Sequence, residues 1–283
     1  MAVQTFAAAP QGNTVALYRD WGKKLSDAMT AVGFLKTEDT GQIDWATVSA
    51  PATASAFPGY EIRAFTDAHQ GQMPMFLKIE YGSGPSNASH VSIRLSVGRA
   101  TDGAGTLYES TVPVLIYNSS YTTTTFNCYV SGDADRISFI MFCNLSWSLS
   151  FYIERVKDAS GAATNAGITV VSADSNGIIQ QHLGRKGLGF PYTSVYGCMC
   201  SIPYGVTSVI YNGNTGLFPV FVHCGYANNP DLGGAVYIIA DIAIETDVEL
   251  TLFSVSHNYK TAGRNYGTVN GNTTAKSLAV RYE

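Results

Sequence analysis

The groups on this chain with the chemistry to act as nucleophile, base or metal ligand are five histidines, five cysteines and a wide field of serine and threonine hydroxyls. A hydroxyl nucleophile needs a base within hydrogen-bond reach and an acid that orients the base. His69, His90, His182, His223 and His257 are scattered singly, and none sits in a Gly-x-Ser-x-Gly context. His90 and His223 fall inside strand patterns, which suits a core or interface imidazole. Cys128, Cys143, Cys198, Cys200 and Cys224 are odd in number and lack a repeated Cys-x-x-Cys spacing, a poor framework for disulfides or zinc. Cys198-Met-Cys200 puts two thiols on one face of a strand. Buried reduced thiols are one reading; a Cys200–Cys224 bridge is the other. Asp102-Gly-Ala-Gly105 and Gly132-Asp-Ala-Asp135 lack the regular oxygen ligands and closing acid of a Ca²⁺ loop. No helix pattern follows Gly105 to hold a phosphate, so both segments read as hairpin turns. Glycoside hydrolysis needs two carboxylates close in space, and spacing alone selects no pair from the 21 acids. The expectation is no catalytic residue, no cofactor and no metal.

Charge and composition narrow the partners. Only 13% of residues are charged, 46% are hydrophobic, and 17 Tyr and 13 Phe accompany a net charge of −4. A sizeable core is allowed, while the basic stripe that nucleic acid requires is missing. Weakly charged, aromatic surfaces suit protein–protein contact; filling strand interiors is the other use for those rings. The first ten residues carry neither a basic start nor an apolar run, so no secretory signal is expected. No stretch reaches the ~18 apolar residues of a membrane helix. Asn87-Ala-Ser, Asn118-Ser-Ser, Asn144-Leu-Ser and Asn272-Thr-Thr match the glycosylation pattern but mean nothing without secretion.

The elements that would position these groups fall into two styles. Asn13 is placed to cap a helix from Thr14, in which Trp21, Leu25, Ala28, Met29 and Val32 recur at steps of three and four, with Gly33 just past its end. Such a helix either packs on its own sheet or anchors in a neighbouring subunit, because alone it is marginal in water. Residues 37–58 read as an extended connector pinned by Trp45 between Ile43 and Val48. From Gly59 the period is two. Val91, Ile93, Leu95 and Val97 should face inward and Ser92, Arg94 and Ser96 outward. Tyr121–Val130 and Arg136–Cys143 flank the 131–135 turn as a hairpin. Pro74-x-Phe-Leu and Pro219-x-Phe-Val share a spacing too short to establish duplication.

These patterns predict a mainly β protein: an antiparallel β-sandwich, as one large or two small jelly-roll-like or sandwich units, with one N-terminal α-helix. Its expected divisions are 1–58 (N-terminal arm, helix and connector), 59–157 (first β-sandwich region), 167–257 (second β region) and 258–283 (C-terminal arm). The 157–166 stretch is the expected boundary. Residues 1–12 and 258–283 show little hydrophobic periodicity, so they are expected to order on neighbouring subunits, with Ser277–Tyr282 read either as a last strand or as an arm added to a neighbour. Trp21, Leu25, Trp45 and Tyr282 are candidate interaction residues. Tyr117, Tyr121 and Tyr192 are candidates for a glycan face.

Val32–Trp45, Gly59-Tyr-Glu-Ile62, Phe76-Leu-Lys-Ile-Glu-Tyr-Gly-Ser-Gly84 and Thr101–Gly105 resemble a group of virion structural proteins from tailed bacteriophages. The resemblance covers roughly residues 10–110, and the second half shares the general style of phage tail and baseplate proteins. It implies a non-enzymatic structural component of a tail or baseplate, working through homo-oligomeric contacts and neighbouring structural proteins. It implies assembly in the host cytoplasm and residence in the virion. The alternatives are a receptor- or glycan-binding adhesin module that meets the host surface, and a capsid decoration protein.

Overall fold

A computed structural model of the chain describes residues 2–111, 113–117, 123–142 and 148–157, and beyond them the strands named below and Glu245. In chain order the elements are β1 (Ala2–Ala8), α1 (Val15–Ala31), β2 (Gly59–Ala64), β3 (Phe76–Ser83), β4 (Val91–Gly98), β5 (Ala100–Thr101), β6 (Leu107–Tyr108), β7 (Val114–Tyr117), β8 (Phe126–Asp133), β9 (Arg136–Phe142) and β10 (Ser148–Lys157). Then come β11 (Ala163–Ala173), β12 (Gly177–Leu183), β13 (Ile210–Tyr211), β14 (Asn214–Thr215), β15 (Pro219–Phe221), β16 (Ala235–Ile238), β17 (Asp247–Leu252), β18 (Val255–Val269) and β19 (Asn272–Arg281). The protein is mainly β, every sheet is antiparallel, and α1 is the one helix among the described residues.

Three sheets carry the fold. A six-stranded sheet runs β1-β8-β9-β10-β11-β12, a four-stranded one β2-β3-β4-β7, and a five-stranded one β15-β16-β19-β18-β17. Side-chain alternation assigns the faces of the first. Cys128, Val130, Ile137, Phe139, Met141, Leu149, Phe151 and Ile153 share one face through the registers of β8, β9 and β10. They join α1 and the inner face of the four-stranded sheet in a single core. The opposite face, with Ile140, Phe142 and Tyr152, is also buried, and the five-stranded sheet lies against β9 and β10. Sheet-on-sheet stacking with a helix in one layer is how such a sequence buries both faces of its strands.

The helix forms where the apolar spacing placed it, but it starts differently. Thr14, in an extended conformation, occupies the cap position without a side-chain bond, while Asn13 Oδ1 accepts from Gln11 Nε2 at 2.6 Å. Gly33 at φ 93° closes the C-terminal end. Its N–H donates to Thr30 O at 3.0 Å and that of Phe34 to Met29 O at 2.9 Å. That is the Schellman pattern, which a left-handed residue permits. Of the two uses open to the helix, it takes its own core: Tyr18, Trp21, Leu25 and Met29 are fully buried.

Several expectations need correction. β10 pairs with β11 in the same sheet, with Lys157 opposite Ala163. The 2–8 arm pairs along its length with β8, and the C-terminal segment forms the β18–β19 hairpin and pairs onward with β16. Ladder hydrogen bonds inside the subunit help order these segments, and β1 also adds Ala8 to the core with Phe6 packed against it. In β4, Val91, Ile93, Leu95 and Val97 face the core, yet Ser92 and Ser96 are buried too. The connector covers that second face: Ser83 N–H donates to Ala56 O at 3.0 Å, and Arg94 lies 4.5 Å over the Phe57 ring. Earlier in the connector, the N–H groups of Thr37 and Ile43 donate to Ile62 O and Tyr60 O along the free side of β2.

Candidate functional site

Among the described residues, the densest polar constellation lies on β2. The alternation in Tyr60-Glu-Ile-Arg-Ala64 is real, but its charged phase points inward: Glu61 pairs with Ile79 and Arg63 with Leu77, residues whose side chains line the core. Glu61 and Arg63 are both fully buried. Being two apart on a strand, they share a face and pair at 2.8 Å.

Every lone pair of Glu61 is used. Oε1 accepts from Ser26 Oγ at 2.7 Å, Trp45 Nε1 at 3.1 Å and Lys36 Nζ at 2.6 Å. Oε2 accepts from Arg63 Nε at 3.1 Å and Nη2 at 2.8 Å, and from Tyr81 OH at 3.0 Å. Arg63 spends its remaining donors on Ser26 O and Oγ, both at 2.9 Å, on Thr30 Oγ1 at 3.2 Å and on Phe34 O. The knot therefore binds α1, its C-terminal turn, the connector, β2 and β3 together. Burial pushes the Glu61 carboxyl up, but the charges of Arg63 and Lys36 and the bonds from Lys36 and Ser26 outweigh it and hold the group below its ordinary value. Burial, followed by the charge of Glu61, pushes the Tyr81 phenol well up. The carboxylate stays ionised and the phenol stays protonated, with no lone pair left for a substrate.

Aromatic rings wall the knot. Trp45 meets Tyr81 edge-on at 4.9 Å and Tyr18 at 5.6 Å, and Trp21 meets Tyr81 at 5.8 Å. Gly22 gives the indole its room, since a Cβ there would fall 1.9 Å from Trp45 Cη2. A second buried guanidinium works in the same way. Arg155, on the core face of β10, donates from Nε to Asp67 Oδ2 at 2.9 Å, from Nη1 to Met73 O at 2.8 Å and from Nη2 to Gln70 Oε1 at 3.2 Å. It ties the loop before β3 to the six-stranded sheet.

The sequence candidates divide accordingly. Trp21, Leu25 and Trp45 come together in the core, so they hold the fold instead of offering a surface. Tyr117 is half-buried at the end of β7. Tyr121, Tyr192 and Tyr282 lie outside the described residues, as do Cys143, Cys198, Cys200, Cys224 and His223, and the side chains of His182 and His257. The Cys128 thiol is buried and donates to Phe126 O at 3.9 Å. His90 is buried, and its backbone accepts from Gly84 N–H at 2.9 Å. Asp102 organises the β5–β6 turn, accepting from the N–H groups of Ala104 and Thr106 at 2.8 and 2.9 Å. Among the described residues no three His, Cys, Asp or Glu side chains are grouped to hold a metal, and no helix is long and apolar enough to cross a membrane.

One open cleft of about 240 Å³ is lined by Gln72, Met73, Pro74, Arg99, Ala100, Tyr108 and Glu109. Tyr108 is 53% exposed there, beside an Arg99–Glu109 pair at 2.9 Å. Neither Tyr108 nor Arg99 stands out in the sequence; only the meeting of the β5–β6 hairpin with the 69–75 loop reveals them. No protein-family model and no curated protein matches the chain, so its function has to be argued from these residues.

Proposed function

We propose that the chain is a non-enzymatic structural subunit of a tailed-phage virion, associated with the tail or baseplate and working through contacts with copies of itself and with neighbouring structural proteins. One observation carries the non-catalytic part: among the described residues the richest ionisable cluster is buried, saturated with internal donors and spent on locking five segments together. A reaction centre instead leaves a nucleophile, base or oxyanion donor free for substrate. The resemblance of residues 10–110 to virion structural proteins supports the assignment to the particle. Under this reading the subunit is made in the host cytoplasm, acts without a cofactor, binds no nucleic acid and has no membrane span. Purified particles should contain the chain in stoichiometric amounts by peptide mass spectrometry. The purified chain should leave peptidoglycan, capsular polysaccharide and peptides uncut. Turnover abolished by replacing one acid or histidine overturns the reading.

The cleft at Tyr108 favours a second reading, a glycan-binding module. A flat exposed phenol flanked by Arg99, Glu109 and Gln72 offers stacking and hydrogen bonding together. Binding on a glycan array that Tyr108→Ala removes would move the assignment to adhesin.

A further inference from the structure

We infer that the cleft between the β5–β6 hairpin and the 69–75 loop binds one uncharged pyranose ring, a neutral sugar at the end or on a branch of a glycan. The inference deepens the glycan-binding reading and rests on it; the virion reading stands or falls separately.

Both walls of the cleft are held from behind. In the hairpin, Arg99 N–H donates to Tyr108 O at 3.0 Å and Thr40 N–H to Gly103 O at 2.8 Å. Lys78 Nζ donates to Gly105 O at 2.8 Å. In the loop, the Gln70 amide donates to Met75 O at 3.0 Å and accepts from Met75 N–H at 2.9 Å. The buried Arg155 donates to Met73 O and to Gln70 Oε1. Walls fixed beforehand lose little affinity to ordering when a ligand arrives. At about 240 Å³ the cleft falls below the roughly 300–1,000 Å³ of a site for a drug-sized ligand, which leaves room for about one ring.

The lining suits a ring that is apolar on one face and hydroxylated around its rim. Ala100 is the cross-strand partner of Tyr108, and so small a neighbour leaves the phenol 53% exposed. Its flat face can stack on the C–H face of a sugar, with Met73 and Pro74 beside it. Gln72 brings an amide that both donates and accepts. Arg99 and Glu109, paired at 2.9 Å, set a donor next to an acceptor, as two neighbouring hydroxyls require. Glu109 is held at φ 46°, a left-handed conformation that strains a non-glycine residue, and such strain gathers at ligand clamps. The one cation and one anion of the lining already neutralise each other. A uronic acid would set its carboxylate against Glu109, and an amino sugar its ammonium against Arg99. The uncharged ring meets neither repulsion.

Saturation-transfer NMR on the full chain tests this with glucose, galactose, mannose and N-acetylglucosamine against glucuronate and glucosamine. At least one neutral sugar should bind, with a dissociation constant on the order of millimolar for so small a ligand. Tyr108→Ala should weaken binding by about tenfold or more, whereas Tyr108→Phe keeps the stacking face and should stay within about threefold. Glu109→Gly relieves the backbone strain, so the thermal midpoint should not fall while binding weakens by about tenfold. Unchanged affinity in Tyr108→Ala or Glu109→Gly overturns the inference. Glucuronate or glucosamine bound more tightly than every neutral sugar, through Tyr108, overturns it and leaves the glycan reading standing. No transfer from the folded chain to any of these sugars overturns it as well; a glycan array that also stays empty then sinks the glycan reading. Self-association lost in Tyr108→Ala without any sugar signal assigns the cleft to protein contact and overturns both.

Discussion

Glu61→Gln tests the polar knot most sharply. The amide keeps the size of the carboxylate but offers one acceptor and two donors where six donors converge. Its NH₂ must then face protons on one side of the cluster, and Arg63, fully buried, loses its counter-charge. Removing one partner of a buried ion pair costs about 3–5 kcal/mol, because the other charge is left uncompensated. That is a large part of the roughly 5–15 kcal/mol that holds a folded domain. At about 2–4 °C per kcal/mol in a large domain, the thermal midpoint should fall by about 6–20 °C. Urea unfolding followed by tryptophan fluorescence suits the measurement, since Trp45 donates to the replaced carboxylate. The double variant Glu61→Gln/Arg63→Met should recover part of the loss by removing the stranded charge. A cost below about 1 kcal/mol for Glu61→Gln, or a double variant worse than the sum of its singles, would refute the reasoning.

The remaining predictions draw on the same neighbourhood. Gly22→Ala should gain helix propensity of about 1 kcal/mol yet destabilise on balance, by about 1–3 kcal/mol from overpacking, because the indole ring it meets is held by Glu61; a more stable protein in the same urea titration contradicts this. Leu25→Asp places an unpaired charge at a fully buried position and should leave little folded protein, judged by circular dichroism. Arg155→Leu should leave the β core intact but speed proteolysis within 67–75, the loop its donors hold; unchanged cleavage there refutes it. Stability should also fall at both ends of the pH range. Glu61 is held below its ordinary value, so its contribution is present above the unfolded carboxyl pKa of about 4.3 and is lost as pH drops through the folded value. Tyr81 is held above its ordinary value, so its contribution is complete below about pH 10 and is lost as pH rises towards the folded value. In Glu61→Gln the acid limb should shrink, and an unchanged acid limb assigns it elsewhere.

Much of the fold was legible because period is a direct physical signal. The steps from Trp21 to Met29 located α1, Gly33 marked its end, and the alternation of Val91–Val97 located β4 with the correct face inward. The hairpin around residues 131–135 announced itself through its turn residues. What escaped was which phase of an alternation turns inward. In β2 the charged pair faces the core, a choice made by Ser26, Lys36, Trp45 and Tyr81 on three other segments, and no local window contains them. The burial of Ser92 and Ser96 escaped for the same reason, since the connector that covers them is tens of residues away. Pairing of the first residues with β8 was missed because backbone ladders need no apolar pattern, while Ser277–Tyr282 offered a last strand as one of two readings. Tyr108 became a candidate only when two loops met.

The central claim is that this chain is a building part of a particle. Under the proposed reading a phage genome encodes it, and cryo-electron microscopy of the particles made from that genome tests that most directly. Symmetric copies of this fold are expected in the tail or baseplate. Particles that contain no copy of the chain would contradict it.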